Sequence, residues 1–386
     1  MISALQGGIK RYSWGSLESI QQLCELEQDG QPIAEIWFGA HASAPSMLSD
    51  GATLDTVVAA DPHGELGNGD ESLRFLVKLL AANEALSIQL HPDAAAAAEG
   101  FARQNAAGVP VDDPLRTYRD GSHKPEVVYP LTEFAVLVGL QSNEQMRFSV
   151  DAFGLDPIIA DVLDEHGRVE LLSQILDPAT PQWVTRSLGA LQRLDLDSIE
   201  DQRLRHAEAL LEIAAGRPDD PGLLVASLMN HQILAPGEAM FVDAGCLHAY
   251  LHGFAVEVMA SSDNVIRGGL TNKYIDVAEL VRLVDPRSEP VIMPAPGDGV
   301  ALPIPVSEFD MRSFRTGGGD DGMTLPTGTA HILLCLTESV TIRDSRSTTS
   351  LTLRPGEAAW VSANEHVTFA GNGHTVVVSS TTRTSS

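Results

Sequence analysis

Hydrophobic and polar positions divide the chain into three stretches of different period. Through about residue 140, apolar residues come in short runs bounded by turn residues. Ala34-Glu35-Ile36-Trp37-Phe38-Gly39, Val77-Lys78-Leu79-Leu80 and Val127-Val128-Tyr129 are examples, and such runs predict strands. Residues 141–230 change to helical spacing, as in Val169-Glu170-Leu171-Leu172-Ser173-Gln174-Ile175-Leu176 and Ala207-Glu208-Ala209-Leu210-Leu211-Glu212-Ile213. Pro157, Pro178, Pro181, Pro218 and Pro221 punctuate this block as helix starts and stops. Strand patterns resume near Gln232 and continue, interrupted by the loop Gly317-Gly318-Gly319-Asp320-Asp321-Gly322. Ala94 to Ala98 predicts a short helix, and the Thr/Ser tail after Ser379 is expected to fray.

The two strand-rich stretches share a repeat. Leu234-Ala235-Pro236-Gly237-Glu238-Ala239-Met240-Phe241-Val242 returns as Leu353-Arg354-Pro355-Gly356-Glu357-Ala358-Ala359-Trp360-Val361, each followed by a histidine, His248 or His366. Pro-Gly-acidic, an apolar strand, a loop and a histidine are the local grammar of a cupin jelly roll. The expected fold is therefore mainly β with an α-helical insertion: two cupin-type jelly rolls plus a helical domain. By number, residues 1–140 and 231–290 form a catalytic cupin, 141–230 an inserted helical domain, and 291–386 a C-terminal cupin-like domain.

Within the first stretch, Ser87-Ile88-Gln89-Leu90-His91-Pro92 stands out. As a strand it alternates faces, sending Ile88 and Leu90 into a core and Ser87, Gln89 and His91 the other way. Polar groups buried on a strand need partners, so this face reads as the wall of a site. Glu126 in His123-Lys124-Pro125-Glu126 and His248 complete a candidate ligand set of Gln89, His91, Glu126 and His248. Two imidazoles, one carboxylate and an open position suit a Lewis-acid metal. The donors do not choose the metal, since two His and a carboxylate suit iron(II) as well as zinc. His366 has no Gln-x-His before it and reads as structural.

Charge narrows the partners. Lys and Arg number 25 against 52 Asp and Glu, a formal charge of −27, which opposes binding to nucleic acid or an anionic membrane. Lys78, Lys124, Arg267 and Lys273 nevertheless crowd the ligand-bearing segments. Local cations dominate a pocket within a screening length of about 8 Å, so phosphate recognition or oxyanion stabilisation is expected. Surface pairing of Lys273 with Asp263, Asp276 or Glu279 is the competing reading. Cys24, Cys246 and Cys335 are few and widely spaced, without a disulfide or thiolate-cluster pattern. The chain has no apolar run near the roughly 20 residues that cross a bilayer, and no secretory pattern at the start. A cytoplasmic monomer is expected.

Together these motifs resemble the type I phosphomannose isomerases. The likeness is carried by Tyr12-Ser13-Trp14-Gly15-Ser16, Ala34 through His41, Leu86 through Pro92, His123 through Glu126, and Ser262-Asp263-Asn264-Val265-Ile266-Arg267-Gly268-Gly269-Leu270-Thr271, in order. The pattern departs at Ala42-Ser43 and in the alanine run after Pro92. The resemblance implies one Zn2+ per chain on Gln89, His91, Glu126 and His248, and a small phosphorylated sugar as substrate. The reaction implied is mannose 6-phosphate to fructose 6-phosphate by proton transfer through an enediol. Zinc and Arg267 would then stabilise oxyanion charge. Lys124, His123 and Asp263 would serve proton shuttling or ring opening, and Ser87, Lys78 and Lys273 would orient phosphate and sugar. Glu257 is a further candidate base. Two alternatives are an iron(II) oxygenase and a non-catalytic sugar-binding bicupin. The intact ligand set beside a degenerate second copy opposes the latter.

Overall fold

The computed structural model describes residues 1–67, 69–315 and 323–381; the Gly-Asp loop 317–322 and the tail from residue 382 lie outside them. Among the described residues the strands pair into three sheets of 11, six and four strands, the largest folded into two layers, and these stack with a block of helices. The central layer pair shares one strand, His248–Ala260. Its C-terminal half belongs to a layer ordered Val291–Met293, Ala239–Val242, Glu126–Pro130, Gly253–Ala260, Phe75–Ala82, Glu35–Gly39, Gly8–Lys10. Its N-terminal half joins Ile88–Leu90 and Phe134–Leu140, which are flanked by Ile266–Gly269 and Met229–Leu234.

A bulge between Tyr250 and His252 lets one strand serve both layers. Before it, the even residues His248 and Tyr250 face the interior between the layers, while Leu247, Ala249 and Leu251 pack on helices. After it, the odd residues Ala255, Glu257 and Met259 face inward, and Phe254, Val256 and Val258 pack outward. One extra residue has exchanged the faces. Gly253 follows the bulge at φ +130, where a Cβ would lie 2.6 Å from the Glu133 carbonyl.

The block at 141–230 contains helices Asn143–Ala152, Ile158–Ile175, Gln182–Leu191, Asp201–Gly216 and Gly222–Ser227. The first opens on a capping box between Ser142 and Gln145. Their apolar faces cover the outward Ile88, Leu90, Leu137 and Ile266. On the opposite side, the outward faces of Phe75–Ala82 and Glu126–Pro130 pack on a six-stranded sheet containing Phe309–Arg315, His374–Ser380, His331–Cys335 and Ala358–Val361. A four-stranded sheet closes the stack.

Three features differ from expectation. The first strand, Ile2–Gln6, pairs with Ala358–Val361 rather than with the central sheets, so the six-stranded layer draws on both ends of the chain. The helix predicted over Ala94–Ala98 runs to Ala106, capped by Asp93, whose carboxylate accepts from Ala96 N at 2.7 Å. Gly100 in its middle weakens the pattern, yet a Cβ there would lie 2.3 Å from the Tyr118 ring, so close packing requires glycine. The strand-patterned first 140 residues also contain the helices Ser19–Leu23, Leu54–Ala60 and Pro62–Leu66.

The repeat has a common geometry. Glu238 and Glu357 each turn a carboxylate back onto the main chain, accepting from Ala235 N at 2.7 Å and Arg354 N at 2.8 Å. Gly237 and Gly356 sit at φ +88 and +80, as those turns demand.

Candidate metal centre and active site

Strand register brings the site together. In one layer Gln89 is opposite both His248 and Arg267, so Arg267, Gln89 and His248 form a row on one face. His91, two residues beyond Gln89, continues that face. Across the interior, Glu126 is opposite Met259, and Glu257 is opposite both Lys78 and Val128. Glu126, Glu257 and Lys78 therefore share the inner face of the second layer.

His91 Nε2 and His248 Nε2 lie 3.4 and 3.3 Å from Glu126 Oε2. The other nitrogen of each ring is committed. His91 Nδ1 donates to the Asn264 carbonyl at 2.7 Å, and His248 Nδ1 donates to the Cys246 carbonyl at 3.0 Å. A carbonyl can only accept, so the protons are on Nδ1 and both Nε2 lone pairs face the carboxylate. Burial, with the nearby Lys124 charge, lowers the His91 pKa to about 4, which keeps it neutral. All three side chains are buried, and neither His91 Nε2 nor Glu126 Oε2 has a hydrogen-bond partner. Acceptors converging with two of the three unpartnered are costly unless a cation lies among them. The residues thus fit a divalent metal. Gln89 Nε2 is 3.4 Å from His248 Nε2, and a half-turn of the amide exchanges it for Oε1 as a fourth donor.

The remaining Glu126 oxygen, Oε1, accepts from Lys124 Nζ. Burial would raise the Glu126 pKa, but the Lys124 ammonium holds it well below the usual carboxylate range. Beside it, Lys78 Nζ bridges Glu257 Oε2 at 2.7 Å and Glu35 Oε1 at 3.3 Å, all three buried. Burial would lower the Lys78 pKa; Glu257 and Glu35 instead keep it above that of an ordinary lysine. Burial, reinforced by Glu126, pushes the Glu257 carboxyl up against the pull of Lys78.

Other expected residues take up definite places. Arg267 is half-buried, its pKa lowered by burial and by Arg119. The Lys273 pKa is lowered by burial, then by Arg267 and Arg119. The charges bearing on Lys273 are thus cations rather than Asp263, Asp276 or Glu279. Arg119 joins this basic group, and its exposed loop position gave no sign of it in sequence. Asp276 instead caps the helix Val277–Leu283, and Glu279 binds Arg103, Arg282 and Tyr118. Asp263 pairs with His41 Nε2 at 3.3 Å, and that bond holds its carboxyl below the usual range. His123 Nε2 is 3.0 Å from Glu308, whose carboxylate raises the imidazole pKa. Ser87 is half-buried one residue before its strand. Cys246 is buried, and burial raises its thiol. Among the described residues, the three-residue cluster His91, Glu126, His248 is the single group of metal-ligating side chains found, and His366 is outside it.

Comparison with known proteins agrees with this geometry. Residues 2–142 match the catalytic domain of type I phosphomannose isomerases. The chain is 35% identical to mannose-6-phosphate isomerase of Escherichia coli over 96% of its length and 97% of that protein's. The Schizosaccharomyces pombe enzyme is 29% identical over 97% of the chain. The crystal structure of mannose 6-phosphate isomerase from Salmonella typhimurium with fructose 6-phosphate and zinc aligns with a TM-score of 0.89. It has 31% identity, covering 98% of this chain and 99% of that one. Fold and site define a metal-dependent enzyme built largely of β-sheet. The chain belongs to the type I phosphomannose isomerase family.

Proposed function

We infer that this chain is a zinc-dependent isomerase interconverting D-mannose 6-phosphate and D-fructose 6-phosphate. The observation that carries it is the buried convergence of His91 Nε2, His248 Nε2 and Glu126 Oε2 in a chain of this family. An iron(II) oxygenase would use the same donors, but the zinc-bound relatives oppose it. Held by Gln89, His91, Glu126 and His248, one zinc ion would supply Lewis acidity toward substrate oxygens.

The chain's own residues supply the rest. Isomerisation moves a proton between C1 and C2 of the open-chain sugar, with charge developing on both oxygens. Arg267, in register with Gln89, stabilises that charge. Lys124 and Glu257 are the groups we assign to proton movement. Both are buried, and burial raises the Glu257 pKa, the direction that favours a carboxyl taking up a proton. Asp263 and His123, each in a histidine–carboxylate pair, are assigned to ring opening. Ser87 and Lys78 orient the sugar, and Lys273 takes the phosphate. In this reading residues 1–140 with 231–290 form the catalytic cupin, except that the strand Ile2–Gln6 joins the sheet of the second cupin at 291–386, and 141–230 form the helical domain. The enzyme works as a cytoplasmic monomer supplying mannose 6-phosphate for mannose and GDP-mannose metabolism.

A coupled assay for sugar-phosphate isomerisation tests the reading. Turnover should vanish with chelator and return with zinc under anaerobic conditions. Turnover that needs oxygen, or that ignores chelation, would overturn it. Solvent hydrogen exchange into C2, measured in Lys124→Ala, Glu257→Gln and Asp263→Asn, assigns the base. Exchange surviving in both of the first two variants would place it elsewhere.

A further inference from the structure

The loop that delivers Lys124 has no strand to hold it. Residues 119–124 contain no regular secondary structure, although Lys124 must keep its ammonium on Glu126 Oε1. One side chain takes the place of the missing ladder. Asn264, fully buried, donates from Nδ2 to the carbonyls of Asp120 and Ser122, both at 2.8 Å, and lies 3.2 Å from Asp120 Oδ1. Its Oδ1 accepts from Arg119 N at 2.8 Å and from Asp120 N at 3.3 Å. An amide offers two donors and two acceptor sites, so this one is saturated by loop backbone.

The clasp is reciprocal. Asp120 accepts from Ser262 Oγ at 2.9 Å, Asp263 N at 2.8 Å and Ser122 N at 2.9 Å. Meanwhile the main-chain carbonyl of Asn264 receives the proton of His91 Nδ1. One residue therefore faces the metal ligand with its backbone and the Lys124 loop with its side chain.

We propose that Asn264 is a positioning residue for turnover, fixing Lys124 relative to the His91–Glu126–His248 centre through the 119–122 backbone. The proposal rests on the reading that Lys124 belongs to the machinery. Aspartate at 264 would lose both donors and confront three oxygens; alanine would lose every side-chain bond. Either leaves the carbonyl that orients His91. The side chain should thus matter for kcat and not for metal affinity.

The experiment measures kcat and KM for mannose 6-phosphate, the zinc dissociation constant and the unfolding midpoint in Asn264→Ala and Asn264→Asp. Ser262→Ala, which removes the hydroxyl's ties to Asp120 Oδ1, the Ser122 carbonyl and Asn264 N but leaves the Asn264 amide in place, is the milder variant should those two not fold. Lys124→Ala is the reference. Ser187→Ala is the stability control, removing a buried hydroxyl in the helical block that bonds Trp183 O and Asp156 N. We expect kcat per folded, zinc-loaded molecule to fall about tenfold or more in the Asn264 variants, as sub-ångström misplacement does. Ser262→Ala should show a smaller loss of the same kind. KM and zinc affinity should stay within about threefold, an order set by the retained carbonyl contact. Unchanged kcat at lowered stability, as expected for Ser187→Ala, would overturn the proposal. So would kcat and zinc affinity falling in parallel, which would make Asn264 a strut of the metal site. Full turnover in Lys124→Ala would refute the underlying reading instead, and is distinguishable from both.

Discussion

Lys78→Met is the most incisive perturbation of the polar interior. The ammonium lies 2.7 Å from Glu257 and 3.3 Å from Glu35, with each of the three residues less than a tenth exposed. Methionine matches the stem but leaves two buried carboxylates uncompensated. Removing one partner of a buried ion pair costs about 3–5 kcal/mol, and two orphaned acids place this case at the upper end. Protonation relieves part of it. Glu257 already has a raised pKa, and without Lys78 it binds its proton more tightly folded than unfolded. Stability of the variant therefore falls as pH rises from about 4.3, the unfolded value, through the folded value. The deficit should be largest near pH 8 and shrink toward pH 5. Urea unfolding followed by tryptophan fluorescence reads this, one of the four tryptophans, Trp37, lying 5.1 Å from Lys78 Nζ and bonding Glu35 at 3.0 Å. Free zinc must be matched, since ligand binding adds its own stability. A deficit below about 1 kcal/mol at pH 8, or one that does not shrink by pH 5, would refute the compensation.

Two more outcomes follow from specific contacts. In Gly269→Ala the new Cβ, at φ +134, would meet Gly222 Cα at 2.4 Å, where the Arg267 strand touches a helix. Overpacking and backbone strain together should cost about 2–5 kcal/mol. Gly216→Ala, with nothing within 4 Å, should stay within about 0.5 kcal/mol, and equal thermal shifts would contradict the packing account. Glu308→Gln should bring the raised His123 pKa back toward about 6.5, read by NMR titration. The pair contributes below about 6.5 and is lost as pH rises through the raised value, so the small penalty, under about 1 kcal/mol for a partly exposed pair, should be larger at pH 6 than at pH 9. An unmoved His123 titration would mean Glu308 does not set it.

The polar strand face was legible because local alternation sufficed: Gln89 and His91 share a face whatever the strand pairs with. The helical block was legible for a similar reason, its period being written in contiguous residues. Glu257 shows where that logic stops. Counted from His248 at strict period two, it belongs on the opposite face, and only the bulge at Tyr250/His252 returns it to the interior. A single extra residue leaves no mark in the hydrophobic pattern. Charge partners were hidden by separation: Glu35 for Lys78, His41 for Asp263 and Glu308 for His123 are chosen by the fold. Asn264 was visible inside a motif, but its work is hydrogen bonding to backbone some 140 residues away, which no local pattern encodes.

The pairing of Ile2–Gln6 with Ala358–Val361 has a consequence for synthesis. At roughly 5–20 residues per second, a ribosome needs about 20–70 s to travel from Ile2 to Val361, the pair that opens this ladder. Throughout that interval Ile2–Gln6 has only the short strand Met47–Leu48 beside it and one edge open, while the residues that bring His91, Glu126 and His248 together are being made. The nascent chain must keep this open edge from joining another until Ala358–Val361 emerges, so the six-stranded sheet closes after the strands that carry His91, Glu126 and His248 have been made.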